Sequence, residues 1–163
     1  GGQRRAEQRL IGNREINTSV SRTLNAQVDD LLAGTGGPAA LRAVLEAARA
    51  GAEEPSAGFR RQRTPGLLFA YFRDMGDVLK ECARMLKPGA PAVFVVGDST
   101  ITGAAGQVVD VPTPDIVIEL AASHGLTVQH DLGKRLTSYG ASTTVHQRNA
   151  MESERVVFLR KQS

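Results

Sequence analysis

Residues 86–100 read LKPGAPAVFVVGDST. Pro88-Gly89 suits a helix stop, because proline has no amide to donate and glycine accepts a left-handed backbone. An unbroken apolar run follows, Ala92 to Val96, and it ends at Gly97, Asp98, Ser99 and Thr100. A strand without polar alternation predicts burial on both faces, as inside a parallel sheet covered by helices. Its polar end then lies where open α/β sheets gather ligands, at the carboxyl ends of the strands. Gly97 would let a ligand or a neighbouring backbone come close. Asp98 could accept from an amino group, and Ser99 and Thr100 could donate or accept. The same side chains could instead serve only the backbone of the following turn.

Upstream, Leu68, Phe72, Met75, Leu79, Cys82 and Leu86 recur at gaps of four and three. That spacing predicts a helix over 67–87 with one apolar face and Cys82 in the core. Two earlier helices are predicted, over 19–33 with Gly34 in a left-handed C-terminal position, and over about 38–50 with Pro38 in the first turn. Residues 51–66, which include Gly, Pro, Ser and the basic FRRQR, read as a mobile surface loop. Downstream, Thr113 is a candidate cap, Pro114 fits a first helical turn, and Asp115 suits the positive end of the dipole. Gly125 would end that helix. Leu126–Asp131 alternates as a half-buried strand does, and Arg155–Arg160 reads as the last strand. A polar stretch, about 133–153, joins them. The helical crossover between the first two strands predicts that they are parallel, with the last strand antiparallel. The fold class is therefore α/β, with an Arg-rich helical entry segment and loop over 1–66 and the α/β part over 67–163.

The 163-residue chain carries a net charge of +3, and 41% of it is hydrophobic. Residues 1–64 hold ten basic residues, all Arg, against seven acidic ones, whereas the remainder is balanced. Arginine binds phosphate bidentately, so a polyanion partner fits, although solvated helix faces would explain the same charges. Aromatics make up only 4% of the chain, and there is no Trp. The single cysteine excludes an internal disulfide framework and a multi-Cys zinc site. His124, His130 and His146 lie too far apart for a helical metal pair, so no metal is expected. Gly103-Ala-Ala-Gly106 lacks the phosphate fingerprint, and Ser99 lacks a nucleophile elbow. No apolar run reaches the length of a membrane span and no signal peptide is visible, so a cytoplasmic location is expected.

Three quoted runs carry a resemblance: YFRDMGDVLKECARMLKPGAPAVFVVGDS, VDVPTPDIVIELAASHGL and SERVVFLRK. Together, over about residues 68–161, they resemble the second half of an S-adenosylmethionine-dependent DNA amino-methyltransferase, of the kind that methylates cytosine N4 or adenine N6. The resemblance implies a partial Rossmann-like methyltransferase sheet, S-adenosylmethionine as cofactor in the intact enzyme, and DNA or RNA as partner. It places Gly97, Asp98 and Ser99 on the rim of the substrate pocket. Arg14, Lys134, Arg135 and Arg148 become candidate nucleic-acid contacts. The family's Asp/Asn/Ser-Pro-Pro-aromatic tetrapeptide and its glycine-rich cofactor loop are both absent, and no Pro-Pro occurs anywhere. No catalytic or cofactor-binding residue is therefore assigned. The chain is expected to be an inactive fragment whose partner is the missing N-terminal half of the same domain. An RNA guanine-amine methyltransferase, a small-molecule methyltransferase, and a non-catalytic module docking on a cofactor-carrying partner remain as rivals.

Overall fold

The computed structural model describes residues 18–135 and 153–162. They fall into two compact units. One comprises residues up to Asp77 together with Ile101–Val109, and the other comprises Val78–Thr100 and the residues from Asp110 onward.

The first unit is built on helices α1 (Thr18–Ala33), α2 (Ala39–Ala52) and the first part of α3 (Phe59–Met85). Spacing puts Leu24, Val28, Leu31 and Leu32 on one face of α1 and Leu41, Val44, Leu45 and Ala48 on one face of α2, and of these Leu31 and Leu32 are half-buried rather than buried. Leu24 and Val28 of α1 are buried, as are Leu41, Val44, Leu45 and Ala48 of α2. The left-handed glycine after α1 is Gly37, at φ 84°, rather than Gly34. Arg42 then closes the helix end, its guanidinium donating to the carbonyls of Leu31 (2.6 Å) and Leu32 (3.0 Å), which an unaided helix terminus would leave without partners.

Helix α3 corrects the sequence reading of 51–66. FRRQR lies inside the helix, and so does Pro65. Proline cannot donate to the carbonyl four residues back and crowds it. The rung beside that gap is carried from α1. The Asn25 carbonyl oxygen accepts from the Gly66 amide (2.9 Å), and its NH2 donates to the Gln62 carbonyl (3.1 Å). In an unbroken helix those two backbone groups would bond to each other, so the Asn25 amide stands in for one rung. Any side chain at Gly66 would block this, since a Cβ there would lie 2.7 Å from Asn25 Oδ1. The buried side of α3 includes Pro65, Phe72, Leu79 and Ala83, whereas Cys82, expected in the core, is only half-buried.

The second unit holds strand β1 (Pro91–Gly97), helix α4 (Thr113–Ser123) and strands β4 (Leu126–Arg135) and β5 (Ser153–Lys161). Two short strands between β1 and α4, β2 (Ser99–Thr102) and β3 (Val108–Val111), pair as a two-stranded sheet that the sequence reading does not include. The Pro88-Gly89 stop holds. Gly89 sits at φ 78° and its amide bonds the Lys161 carbonyl (3.0 Å), while the Lys161 ammonium donates to the Leu86 carbonyl (2.9 Å) at the end of α3. Thr113 does not cap α4. It lies in the first turn, with its hydroxyl donating to Val111 O (3.3 Å), and Pro112 holds the cap position.

The class is α/β, but the sheet departs from the expected parallel arrangement. Its order is β1-β5-β4, and both pairings are antiparallel. Strands β1 and β4 do run the same way, as a helical crossover requires, but β5 inserts between them. Strand β1 is therefore a border strand among the described residues, not an interior one. Register sorts the side chains. Ala92, Phe94 and Val96 share a face with Val157 and Leu159, whereas Val93 and Val95 share the other with Phe158, Val156 and Leu132. Helix α4 covers the first face with Ile116, Val117 and Ala121, all fully buried. On the second face Val93, Val95 and Leu132 are 52%, 61% and 57% exposed.

Candidate functional site

The register aligns three strand ends of the second unit. Gly97 of β1 pairs with Glu154 of β5, which pairs in turn with Lys134 of β4. Two strand spacings, about 9.6 Å, therefore separate Gly97 from Lys134. Asp98 is the single residue between β1 and β2, and Ser99 opens β2; both are half-buried. The carboxyl ends of β1 and β4 thus meet the amino end of α4, the position at which α/β folds collect ligands. The structure brings Gly97, Asp98, Ser99, Lys134 and Arg135 to one end of one sheet. Arg14 and Arg148 lie outside the described residues.

This end is held by an ion-pair network that sequence reading missed. Arg155, at the start of β5, donates through Nη1 to Asp115 Oδ1 in the first turn of α4 (2.6 Å). Its Nε donates to Asp131 Oδ1 of β4 (3.0 Å), and Nη2 to Asp131 Oδ2. One guanidinium therefore ties two strands to a helix start, gripping Asp131 with two parallel bonds. Those hydrogen bonds hold the Asp131 carboxyl below the usual carboxylate range, and the same contacts push the Arg155 guanidinium up. Two carboxylates share one cation, and Asp98 and Glu154 stand at the same end. Asp115 and Asp131 are thus engaged by Arg155, and with Lys134 and Arg135 at the same end of the strands the rim carries both acids and bases. The available signal was positional: Asp131 falls near the end of one strand and Arg155 near the start of the next, so an antiparallel pairing places them close together.

Among the described residues no group of three or more His, Cys, Asp or Glu is placed to hold a metal ion. Among those residues, too, no helix is long and apolar enough to cross a membrane.

No protein-family model matches the chain, and no curated protein matches it. Two crystal structures of TTHA0409 from Thermus thermophilus, provisionally named a DNA modification methylase, are similar to it. The selenomethionine form is 22% identical with a TM-score of 0.44, the match covering 58% of this chain and 38% of that one. The form complexed with S-adenosyl-L-methionine is 17% identical with a TM-score of 0.47, over 83% of this chain and 51% of that one. This chain thus spans about half or less of the length of those proteins. At these values neither likeness assigns an activity to it.

Proposed function

We propose that this chain is part of an S-adenosylmethionine-dependent methyltransferase acting on an exocyclic amine of cytosine or adenine in DNA. One juxtaposition supports the reading above all: the Gly97-Asp98-Ser99 end of β1 stands at the carboxyl end of a strand that borders its sheet among the described residues. The β1 border has no partner strand among the described residues, and the adjoining face exposes valine and leucine. Exposed edges and apolar sheet faces are liabilities that folded proteins cover. In this reading the cover is the polypeptide that carries the catalytic tetrapeptide and the cofactor loop.

The described residues do not themselves fit the cofactor. The glycine-rich loop is absent from the sequence. The role left to this chain is substrate positioning. Asp98 accepts a hydrogen from the exocyclic amine and so fixes the direction of its nitrogen lone pair. Aligning a reacting pair in this way accounts for much of the rate in a direct group transfer. Lys134 and Arg135, whose register positions lie at the same end, are the candidates in this reading for contacts to the phosphates of the strand that bears the base.

The test is transfer of a labelled methyl group from S-adenosylmethionine to DNA, by this chain alone and by the whole product of its gene. The chain alone should be inactive. The whole product should methylate DNA, and Asp98→Ala should lower its kcat/KM at least about tenfold, the effect of one lost hydrogen bond of about 1.4 kcal/mol. Transfer to RNA instead would establish the guanine-amine alternative. A whole product that neither binds S-adenosylmethionine nor transfers methyl groups would overturn the enzyme reading and leave a docking module.

A further inference from the structure

The start of α3 lies in the first unit, away from the β1 end in sequence, and the function above makes no use of it. Residues 55–66 contain Arg60, Arg61 and Arg63 and not one acidic side chain. The first turn of α3 has no acidic residue to balance the positive end of its dipole. Phe59 opens this helix and is 62% exposed. Its ring is flanked by cations rather than by apolar cover, with the guanidinium carbons of Arg60 and Arg63 lying 5.9 and 5.4 Å from the ring centroid. Arg63 also donates to Thr18 Oγ1 (3.5 Å), which brings the first turn of α1 alongside. Arg22, one turn further along α1, is exposed.

We propose that Phe59, Arg60, Arg61 and Arg63 form a surface that binds a single-stranded stretch of nucleic acid, Phe59 stacking on a base while the arginines contact phosphates. An aromatic ring that served only the fold would be covered by apolar neighbours. This ring is largely exposed and has guanidinium groups standing over it, and aromatic rings and guanidinium planes together are the groups on which unpaired bases stack irrespective of sequence. Bases in a duplex are already stacked, so the preferred partner is single-stranded. An anionic membrane fits less well. A membrane-surface helix needs a stripe of bulky apolar residues, whereas Leu67, Leu68 and Phe69 are half-buried and Phe72 is buried. The proposal does not depend on the methyltransferase reading, since binding needs neither cofactor nor transfer.

The chain has no tryptophan, so Phe59→Trp creates a single-site reporter. Titration with a short oligothymidylate at low salt should quench its emission saturably. Fluorescence anisotropy of the labelled oligonucleotide gives a second measurement on variants whose circular dichroism matches the parent. Phe59→Ala and the pair Arg60→Gln, Arg61→Gln should each weaken binding at least about tenfold. The arginine pair should also flatten the dependence of log K on log salt by about 0.7 for each phosphate that the variant no longer neutralises. Unchanged affinity in Phe59→Ala, or oligonucleotide binding without quenching, would overturn the proposal. Equal affinity for a duplex of the same length would remove the stacking role. Tighter binding to phosphatidylserine vesicles than to the oligonucleotide would transfer the surface to a membrane and refute the assignment.

Discussion

On the helix-covered face of the β1-β5-β4 sheet, Val157 and Leu159 are fully buried and Val96 nearly so; on the other face Val93 and Val95, from the same strand as Val96, are mostly exposed. The side chains on the two faces of β1 are of one kind, and only their covering differs. A run of valine records that both faces of a strand are meant to be dry. It does not say which polypeptide dries them. Helix α4 begins at Thr113, after β1 has ended at Gly97, and covers one face. The described residues supply no equivalent for the other, and the apolar character of that face is the physical reason for assigning it a partner.

The largest expected effect is on the covered face. Leu159→Ala should cost about 2–5 kcal/mol, because the removed atoms leave a cavity that α4 and the neighbouring strands cannot fully close. The midpoint of urea unfolding, at constant m-value, measures it. A loss below about 1 kcal/mol would mean that the helix-covered face is not a packed core, and the contrast between the faces would disappear.

A smaller effect is expected where the covered face meets the site. Arg155→Met keeps the aliphatic stem but leaves Asp115 and Asp131 without their shared cation. All three groups keep some contact with water, so the expected cost at pH 7 is about 1 kcal/mol, near the upper limit for screened pairs. Its pH dependence has a definite sign. The Asp131 carboxyl titrates below its ordinary value in the folded protein, so the network's contribution is fully present above the unfolded carboxylate range, near about 4, and is lost as pH falls through the lower folded value. Parent and variant should therefore differ most at neutral pH and converge in acid. Parallel stability curves from pH 7 down to about pH 2 would show that Asp131 gains nothing from Arg155.

Much of this was legible in the sequence. The stripes of α1 and α2, the Pro88-Gly89 stop, the Pro114-Asp115 helix start and the polar end of β1 follow from local chemistry alone. What was not legible depended on partners distant in the chain. FRRQRTPG reads as a loop because Pro65 and Gly66 are helix faults, and the Asn25 amide, some forty residues upstream, stands in for the Gly66–Gln62 rung beside the proline. The place of β5 between β1 and β4 leaves no trace in any one strand's pattern, since all three would look alike in either order. The hairpin of β2 and β3 was hidden by its brevity and by the small residues at its turn. At the site, the position of Gly97-Asp98-Ser99 could be read from the strand that precedes it. The Arg155 network could not, because its three members come from three elements and become neighbours only once the antiparallel register is set.

The smallest expected effect tests the open face directly. Val95→Thr keeps the β-branched shape, and therefore the strand preference, while replacing a methyl group with a hydroxyl. At a side chain 61% exposed, the change should alter the stability of this chain by no more than about 0.5 kcal/mol. It should lower the fluorescence of a dye that binds exposed apolar surface, such as anilinonaphthalene sulfonate, and reduce self-association at high concentration, because the patch that drives both becomes more polar. A cost above about 2 kcal/mol would have the opposite meaning, that Val95 is already buried within this chain and its hydroxyl replacement desolvated. The two faces would then be equivalent, and the need for a covering polypeptide would fall with the distinction.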